Sequence, residues 1–255
     1  MSLPTIHIDL NSDVGEFPAA LADGSEAQLL RLVSSANIAC GGHAGDDSSM
    51  GDIVRLCLVY GVSIGAHPSY PDRAGFGRTR IEISKPDLEA SIGEQIDRLL
   101  VVAGRLGAIV HHVKPHGALY NAATHNVELA ITIANAVSSV DRGLVLVGLA
   151  GSAMLDVWKA AGFAVIAEAF ADRRYEPDGS LRSRTRPDAL IVDPAEAARQ
   201  AVSIARDRKV IASDGSHLTV EAQTICIHGD TTNASSIASA VRNHLQGAGI
   251  SVAPV

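Results

Sequence analysis

Six short runs in this chain of 255 residues collect acids, histidines, a lysine and an arginine whose types and spacing suit acid–base and anion chemistry. In "IHIDLNSD", Asp9, Asn11 and Asp13 recur at a period of two, so they share one face of an extended strand while Ile6, Ile8 and Leu10 share the other. Carboxylates on such a stripe need partners inside a fold. Asp13, at the tip, is the better catalytic candidate, whereas Asp9 is either a functional group or a cap on a neighbouring loop. "VKPHGALYN" projects Lys114 and His116 together, since Pro115 enforces an extended path, with Tyr120 and Asn121 behind them. An ammonium beside an imidazole suits oxyanion stabilisation next to proton transfer.

"GGHAGD" and "GAHPSYPD" add His43 and His67. "FADRRY" adds Asp172 and Arg173, which read either as a fork for a substrate carboxylate or phosphate or as a surface ion pair. "ICIHGD" ends on His228 and Asp230, a second acid–base candidate. Asp13, His43, His67 and His116 also suit a divalent metal, although their spacing is no recognised local ligand motif. Cys40 abuts the apolar "NIA" with no base nearby in sequence, so it reads as a small buried hydrophobe rather than a nucleophile.

These clusters follow a repeated pattern of short apolar segment, polar glycine-rich loop and longer amphipathic segment. The pattern predicts strands over 6–10, 36–40, 62–66, 109–113, 144–147, 164–167 and 224–227, and helices over 25–34, 48–60, 85–106, 125–139, 151–161, 194–207 and 233–246. Ser25, Ser84, Thr124 and Asp193 suit helix caps, and Gly61, Gly107 and Gly162 suit stops. Alternating strands and helices imply parallel pairing, hence a barrel or a doubly wound sheet in one domain over 1–255. "RRYEPDGSLRSR" breaks the alternation with turn chemistry and predicts a hairpin excursion around 173–186. In either fold the loops at the carboxyl ends of the strands open on one face, so six chain-distant clusters converge on one cleft, His43 among them.

A net charge of −7 with 21 Lys+Arg and no basic run argues against nucleic acid as a partner. No apolar run approaches the ~20 residues of a membrane helix, and the first residues lack the pattern of a secretion signal, which predicts a cytoplasmic protein. The three cysteines form no C-x-x-C pair. No G-x-x-x-x-G-K-[ST], G-x-S-x-G or H-E-x-x-H occurs.

The runs "DLNSDVGE", "ANIACGGHAGD", "GAHPSYPDRAGFGR", "VKPHGALYN", "AFADRRYEPDGSLRSR" and "QTICIHGD" resemble, in order, the signatures of the 5-oxoprolinase A-subunit family, also called LamB/YcsF. The resemblance runs from about Asp9 to Asp230. It implies an irregular seven-stranded β/α (TIM-like) barrel of the glycoside hydrolase/deacetylase type, and a part in the ATP-dependent opening of the 5-oxoproline lactam to glutamate. It also implies two partner subunits related to allophanate-hydrolase-type enzymes, which would handle ATP. The chain departs from the family in having Ser12 where D-L-N-C-D is usual, and Gly42 where an aromatic is usual, which predicts a looser loop there. In such a reaction Asp13, His43 or His116 would be the base, Lys114 would sit near the departing phosphate or oxyanion, and Arg173 would grip the substrate carboxylate. Asp9, Asn11, His67, Asp172, His228 and Asp230 would complete the substrate contacts. Two rival readings are a metal-dependent, deacetylase-like hydrolase and a subunit that only binds substrate.

Overall fold

The computed structural model describes residues 6–230 and 233–255. The chain begins with β1 (Ile6–Val14), two short helices α1 (Pro18–Ala22) and α2 (Ser25–Leu30), and β2 (Ser35–Ala39). Three further units follow: α3 (Asp47–Tyr60) with β3 (Ser63–His67), α4 (Lys85–Arg105) with β4 (Val110–Val113), and α5 (Gly117–Ala123) and α6 (Val127–Val140) with β5 (Val145–Leu149). Then come α7 (Ala153–Ala160), β6 (Val165–Phe170) and α8 (Pro194–Val202), the last running on into a π-helical turn, Ser203–Asp207. An antiparallel hairpin of β7 (Lys209–Ile211) and β8 (His217–Thr219) precedes β9 (Thr224–Cys226), α9 (Ala234–Gly247) and β10 (Ile250–Val252).

Strands β1 to β6 pair in sequence order, and β9 pairs with both β6 and β1, which closes a barrel of seven parallel strands. These are the seven predicted strands, and closure decides for the barrel over the open sheet. Strand β1 is longer than predicted because it serves three neighbours along its length. Its first residues pair with β10 (Ile6 with Ile250), and its later ones with β9 and β2 (Asp9 with Thr224, Asp13 with Asn37). Outside the barrel the helices pack in order, α3 on α4, α4 on α6, α6 on α7 and α8 on α9. Helix α4 shows why: Leu88, Ile92, Ile96, Leu99 and Ala103 recur every three or four residues and are all buried. Among the described residues no helix is long and apolar enough to cross a membrane.

Local chemistry sets the element ends. Ser84 and Asp193 accept from the third backbone N–H of α4 and α8, as predicted, and Gly61 ends α3 in the left-handed region at φ 68°. Thr124 instead closes α5, and Asn126 caps α6 by accepting from Leu129 N–H at 3.1 Å. Ser25 lies inside α2, behind a Gly24 cap.

Between β6 and α8 the chain makes an excursion in which Tyr175 pairs antiparallel with Leu181 and Arg173 with Leu190. Gly179, at φ 85°, turns it back, and its N–H donates to Glu176 O at 2.9 Å. The excursion leans on the β7–β8 hairpin, where Ser213 N–H donates to Tyr175 O at 2.8 Å.

Candidate functional site

A cleft of about 610 Å³ opens at the carboxyl ends of the barrel strands, with Asp13, His67, Lys114, His116, Arg173 and His228 in its wall. Alternation along β1 sends Ile8 and Leu10 outward to the helices and Asp9, Asn11 and Asp13 into the barrel, where each finds partners. Asp9 sits at the amino end of the barrel, away from the cleft. It accepts from Ser34 Oγ at 2.6 Å, from Ser35 Oγ at 2.7 Å and from the Thr224 hydroxyl, tying β1 to its neighbours. Burial raises its carboxyl above the usual range, against the pull of those hydroxyls. Asn11 lies one layer higher, donating to Glu168 Oε1 at 2.9 Å and Thr224 Oγ1 at 2.7 Å.

At the floor of the cleft Lys114 Nζ lies 2.9 Å from Asp13 Oδ1, 2.9 Å from Glu168 Oε1 and 3.2 Å from Cys226 Sγ. Burial disfavours the ammonium, but Asp13 and Glu168 outweigh it and hold the lysine well above its ordinary value. Burial likewise works against the Asp13 charge, and His67 and Lys114 more than offset it, so Asp13 stays well below the usual carboxylate range. Asn37 supports the pair by donating to Asp13 Oδ1 at 2.8 Å, and accepts in turn from His112 Nε2 at 2.8 Å. His112, pushed down to about 3 by burial, is therefore a neutral packing donor. Glu168 also accepts from Tyr120 OH at 2.8 Å.

On one side of this floor stand three histidines and an acid. His67 Nε2 lies 3.4 Å from Asp13 Oδ2 and 3.0 Å from His116 Nδ1. Glu16 Oε1 lies 3.2 Å from His116 Nδ1 and 3.0 Å from His43 Nε2. His43 stacks on His116 with ring centroids 3.7 Å apart. Unlike the other two, His43 does not face the cleft. It lies behind His116 and opens on a second cavity of about 630 Å³, beside Phe76 and the start of α3. Burial lowers it to about 4, and so keeps it neutral at neutral pH. Its loop is tight: Gly41 N–H donates to Ala44 O at 2.8 Å, and Arg73 Nη1 donates to Gly41 O at 3.1 Å and Gly45 O at 2.9 Å. Gly42 does not loosen it, because the space a side chain would take is held by Gln95 and Ser69.

On the other side Asp172, fully buried, accepts from His228 N–H at 3.0 Å and faces His228 Nδ1 at 3.0 Å. A carboxylate only accepts, so Nδ1 carries the hydrogen and Nε2 keeps the lone pair. Burial raises the Asp172 carboxyl, but His228 pulls it below its ordinary value. Phe170 stacks on the His228 ring at 5.4 Å. Arg173 lines the cleft with Nη2 donating to Arg182 O at 2.6 Å, while its buried Nε meets no acceptor among the described residues. Burial and then Arg184 lower it to about 10, which leaves it charged at neutral pH. Asp230 binds Arg184 Nη1 at 2.7 Å and also Arg78.

The structure thus gathers Asp13, His67, Lys114, His116, Arg173, His228 and Asp230 at the cleft, holds Asp172 behind His228, and leaves Asp9, Asn11 and His43 off its wall. Sequence reasoning missed Glu16, Glu168 and Arg184. The period of two in "EAFAD" places Glu168, Phe170 and Asp172 on one face, a signal for the second. Glu16 follows a turn at Gly15 (φ 74°), beyond any strand period, and Arg184 arrives on the excursion. Ser12 donates to Ile227 O at 2.6 Å, a strand-to-strand tie rather than a group in the cleft.

The model of the LamB/YcsF family matches residues 8–255. The 5-oxoprolinase A-subunit of Chloroflexus aggregans is 50% identical over 247 residues, 97% of this chain and 98% of that protein. The protein of the same name from Bordetella pertussis is 45% identical, over 96% of this chain and 97% of its own length. The crystal structure of the lactam utilization protein from Thermus thermophilus superposes with a TM-score of 0.91 at 42% identity, covering 98% of this chain and 100% of that one. A family 4 carbohydrate esterase from Streptomyces lividans shares the fold alone, with a TM-score of 0.52 at 13% identity over 97% of this chain and 91% of its own.

Proposed function

The chain belongs to the LamB/YcsF family, and on that premise we propose that it is the hydrolytic subunit of an ATP-dependent 5-oxoprolinase, opening the 5-oxoproline lactam to glutamate. The observation that carries this reading is the Asp172–His228 pair facing the Lys114 ammonium across one cleft. Relatives that bear the 5-oxoprolinase name, and a lactam utilization protein of the same fold, support it.

Opening an unstrained five-membered amide needs an activated carbonyl, a nucleophilic water and a proton for the departing nitrogen. Two partner subunits, of the allophanate-hydrolase kind, would phosphorylate the amide oxygen with ATP, and this chain would hydrolyse the activated ring. His228 Nε2 takes the proton from water, because Asp172 fixes the tautomer and stabilises the imidazolium that forms. His228 then returns that proton to the ring nitrogen, the hydroxyl proton of the added water follows as the C–N bond breaks, and the γ-glutamyl phosphate so formed is hydrolysed by a second water to glutamate and phosphate. Lys114 faces the charge that develops on oxygen, and its contact with Cys226 Sγ, a weak acceptor, is one a substrate oxygen displaces. Asp13 keeps the ammonium in place and, held so far below the usual range, is a poor proton acceptor. Arg173, with an unused buried N–H, takes the substrate carboxylate.

The test is reconstitution. The purified chain, its two partner subunits, ATP and 5-oxoproline should give glutamate and phosphate together, with none when this chain is omitted. Normal turnover by a complex assembled with H228N would instead make the chain a binding subunit, and no glutamate from the full set would end the lactam assignment.

A further inference from the structure

Two histidine rings beside Glu16 are fixed from behind by backbone carbonyls. His67 Nδ1 lies 2.7 Å from Lys114 O, and His116 Nε2 lies 3.0 Å from Phe76 O. A carbonyl only accepts, so both of these nitrogens carry hydrogens, and in the neutral rings His67 Nε2 and His116 Nδ1 hold lone pairs. Those two lone-pair atoms stand 3.0 Å apart. Glu16 Oε1 stands 3.2 Å from the second and 3.9 Å from the first. Three electron-rich atoms aimed at one buried point repel one another unless a positive charge lies among them. A single proton, on His67 Nε2 or on His116 Nδ1, is shared between acceptors that lie well off line from one another, whereas a divalent cation takes all three lone pairs at once.

We propose that Glu16, His67 and His116 bind one divalent first-row transition ion. Ligand atoms ~2.1 Å from an ion lie roughly 3.0–3.4 Å apart for angles between 90° and tetrahedral; the 3.0 Å and 3.2 Å separations fall there, and the 3.9 Å between Glu16 and His67 corresponds to a wider angle at the ion. Two imidazoles and one carboxylate favour zinc, cobalt, iron or manganese over calcium or magnesium. The carbonyls of Lys114 and Phe76 are the outer partners that orient such ligands. Phe76 presents its carbonyl from φ 55°, a left-handed conformation that is costly for a bulky residue and persists only where the surroundings impose it.

The ligand set differs from the one the sequence suggests. Asp13 Oδ1 is occupied by Lys114 and Asn37 and only Oδ2 approaches His67, at 3.4 Å, so Glu16 is the carboxylate. His43 is excluded by its plane. Its ring lies parallel to that of His116, at 3° and 3.7 Å, so a point in the plane of one ring lies far out of the plane of the other. It steadies Glu16 through Nε2 instead. Because all three ligands face the cleft, the ion would act as a Lewis acid beside Lys114. Metal binding here is independent of which substrate the cleft takes.

The experiment is a titration of the chelator-treated full chain with Co²⁺ and with Zn²⁺, followed by calorimetry and by the visible spectrum of the cobalt protein. One equivalent should bind, E16Q and H116N should each weaken binding at least ~10-fold, and H244N, at an exposed histidine, should change nothing. The proton spectrum of the wild-type cobalt protein should show two strongly shifted exchangeable imidazole N–H signals, one each from His67 and His116, whether or not the variants fold. No saturable binding, binding indifferent to E16Q and H116N in folded variants, or a number of shifted N–H signals other than two would overturn the proposal.

Discussion

Lys114 Nζ lies 2.9 Å from Glu168 Oε1, and both side chains are buried, so the ammonium at the end of β4 is held at the cleft floor by an acid of β6. With Asp13 on its other side, the lysine joins three strands through charge. Replacing it by methionine leaves two uncompensated buried carboxylates. K114M should lose about 3–5 kcal/mol in urea unfolding, and the double variant K114M/D13N should recover part of that loss. Asp13 contributes stability above its ordinary value of 3.8 and loses it as the pH falls toward its depressed folded value. Acid unfolding followed by circular dichroism should therefore move to higher pH in K114M.

In the proposed mechanism Asp172 acts through His228, whose Nδ1 it faces at 3.0 Å. In the reconstituted complex D172N should lower kcat by on the order of a thousandfold while KM for 5-oxoproline barely moves, because the ring loses its tautomer and not its contact with substrate. Steady-state kinetics on folded D172N checks this, and an equal rise in KM would argue for a binding role.

Arg173 offers a charge-assisted donor to a carboxylate. R173M should raise KM for 5-oxoproline roughly 10- to 100-fold and leave 2-pyrrolidinone, the same ring without the carboxylate, nearly unaffected. Comparing kcat/KM for the two lactams measures the effect.

Glu26 accepts from Gly15 N–H with one oxygen, while the other is buried without a partner among the described residues. Burial pushes it up to about 7. An acid raised in the fold favours its neutral form, so stability should fall as the pH rises from its ordinary value of 4.5 to about 7. E26Q keeps the acceptor and removes the charge. It should be the more stable protein at pH 8, by roughly 1–3 kcal/mol, and gain nothing at pH 4, as urea unfolding at both pH values would show.

Gly65 on β3 faces the ring of His112, which occupies the place a Cβ would take. G65A should lower the melting temperature by the equivalent of about 1–3 kcal/mol, and calorimetry should show H112A partly restoring it.

The barrel strands were legible because each is a short apolar run with a turn on either side, the mark of strands buried on both faces. Strand β1 was cut short at residue 10, since Asn11 and Asp13 break the apolar run; inside a closed barrel Asn37, Glu168 and Lys114 satisfy them. The strands β7, β8 and β10 escaped because each carries exposed or half-buried residues, whereas β9, equally short, is buried throughout and reads as an apolar run. Helix α5 escaped too, because Gly117 and the polar run around it read as loop chemistry.

From the sequence alone came the class of chemistry and the face on which it lies, because side-chain type and strand period are local properties. Only the tertiary structure could decide which groups touch. It set Glu16 rather than Asp13 among the histidines, moved His43 behind His116, and paired Asp172 with His228 and Lys114 with Glu168. Charge interactions and hydrogen bonds depend on separations of a few ångströms, and separations between residues on different strands are fixed by barrel closure and by no neighbour in the sequence.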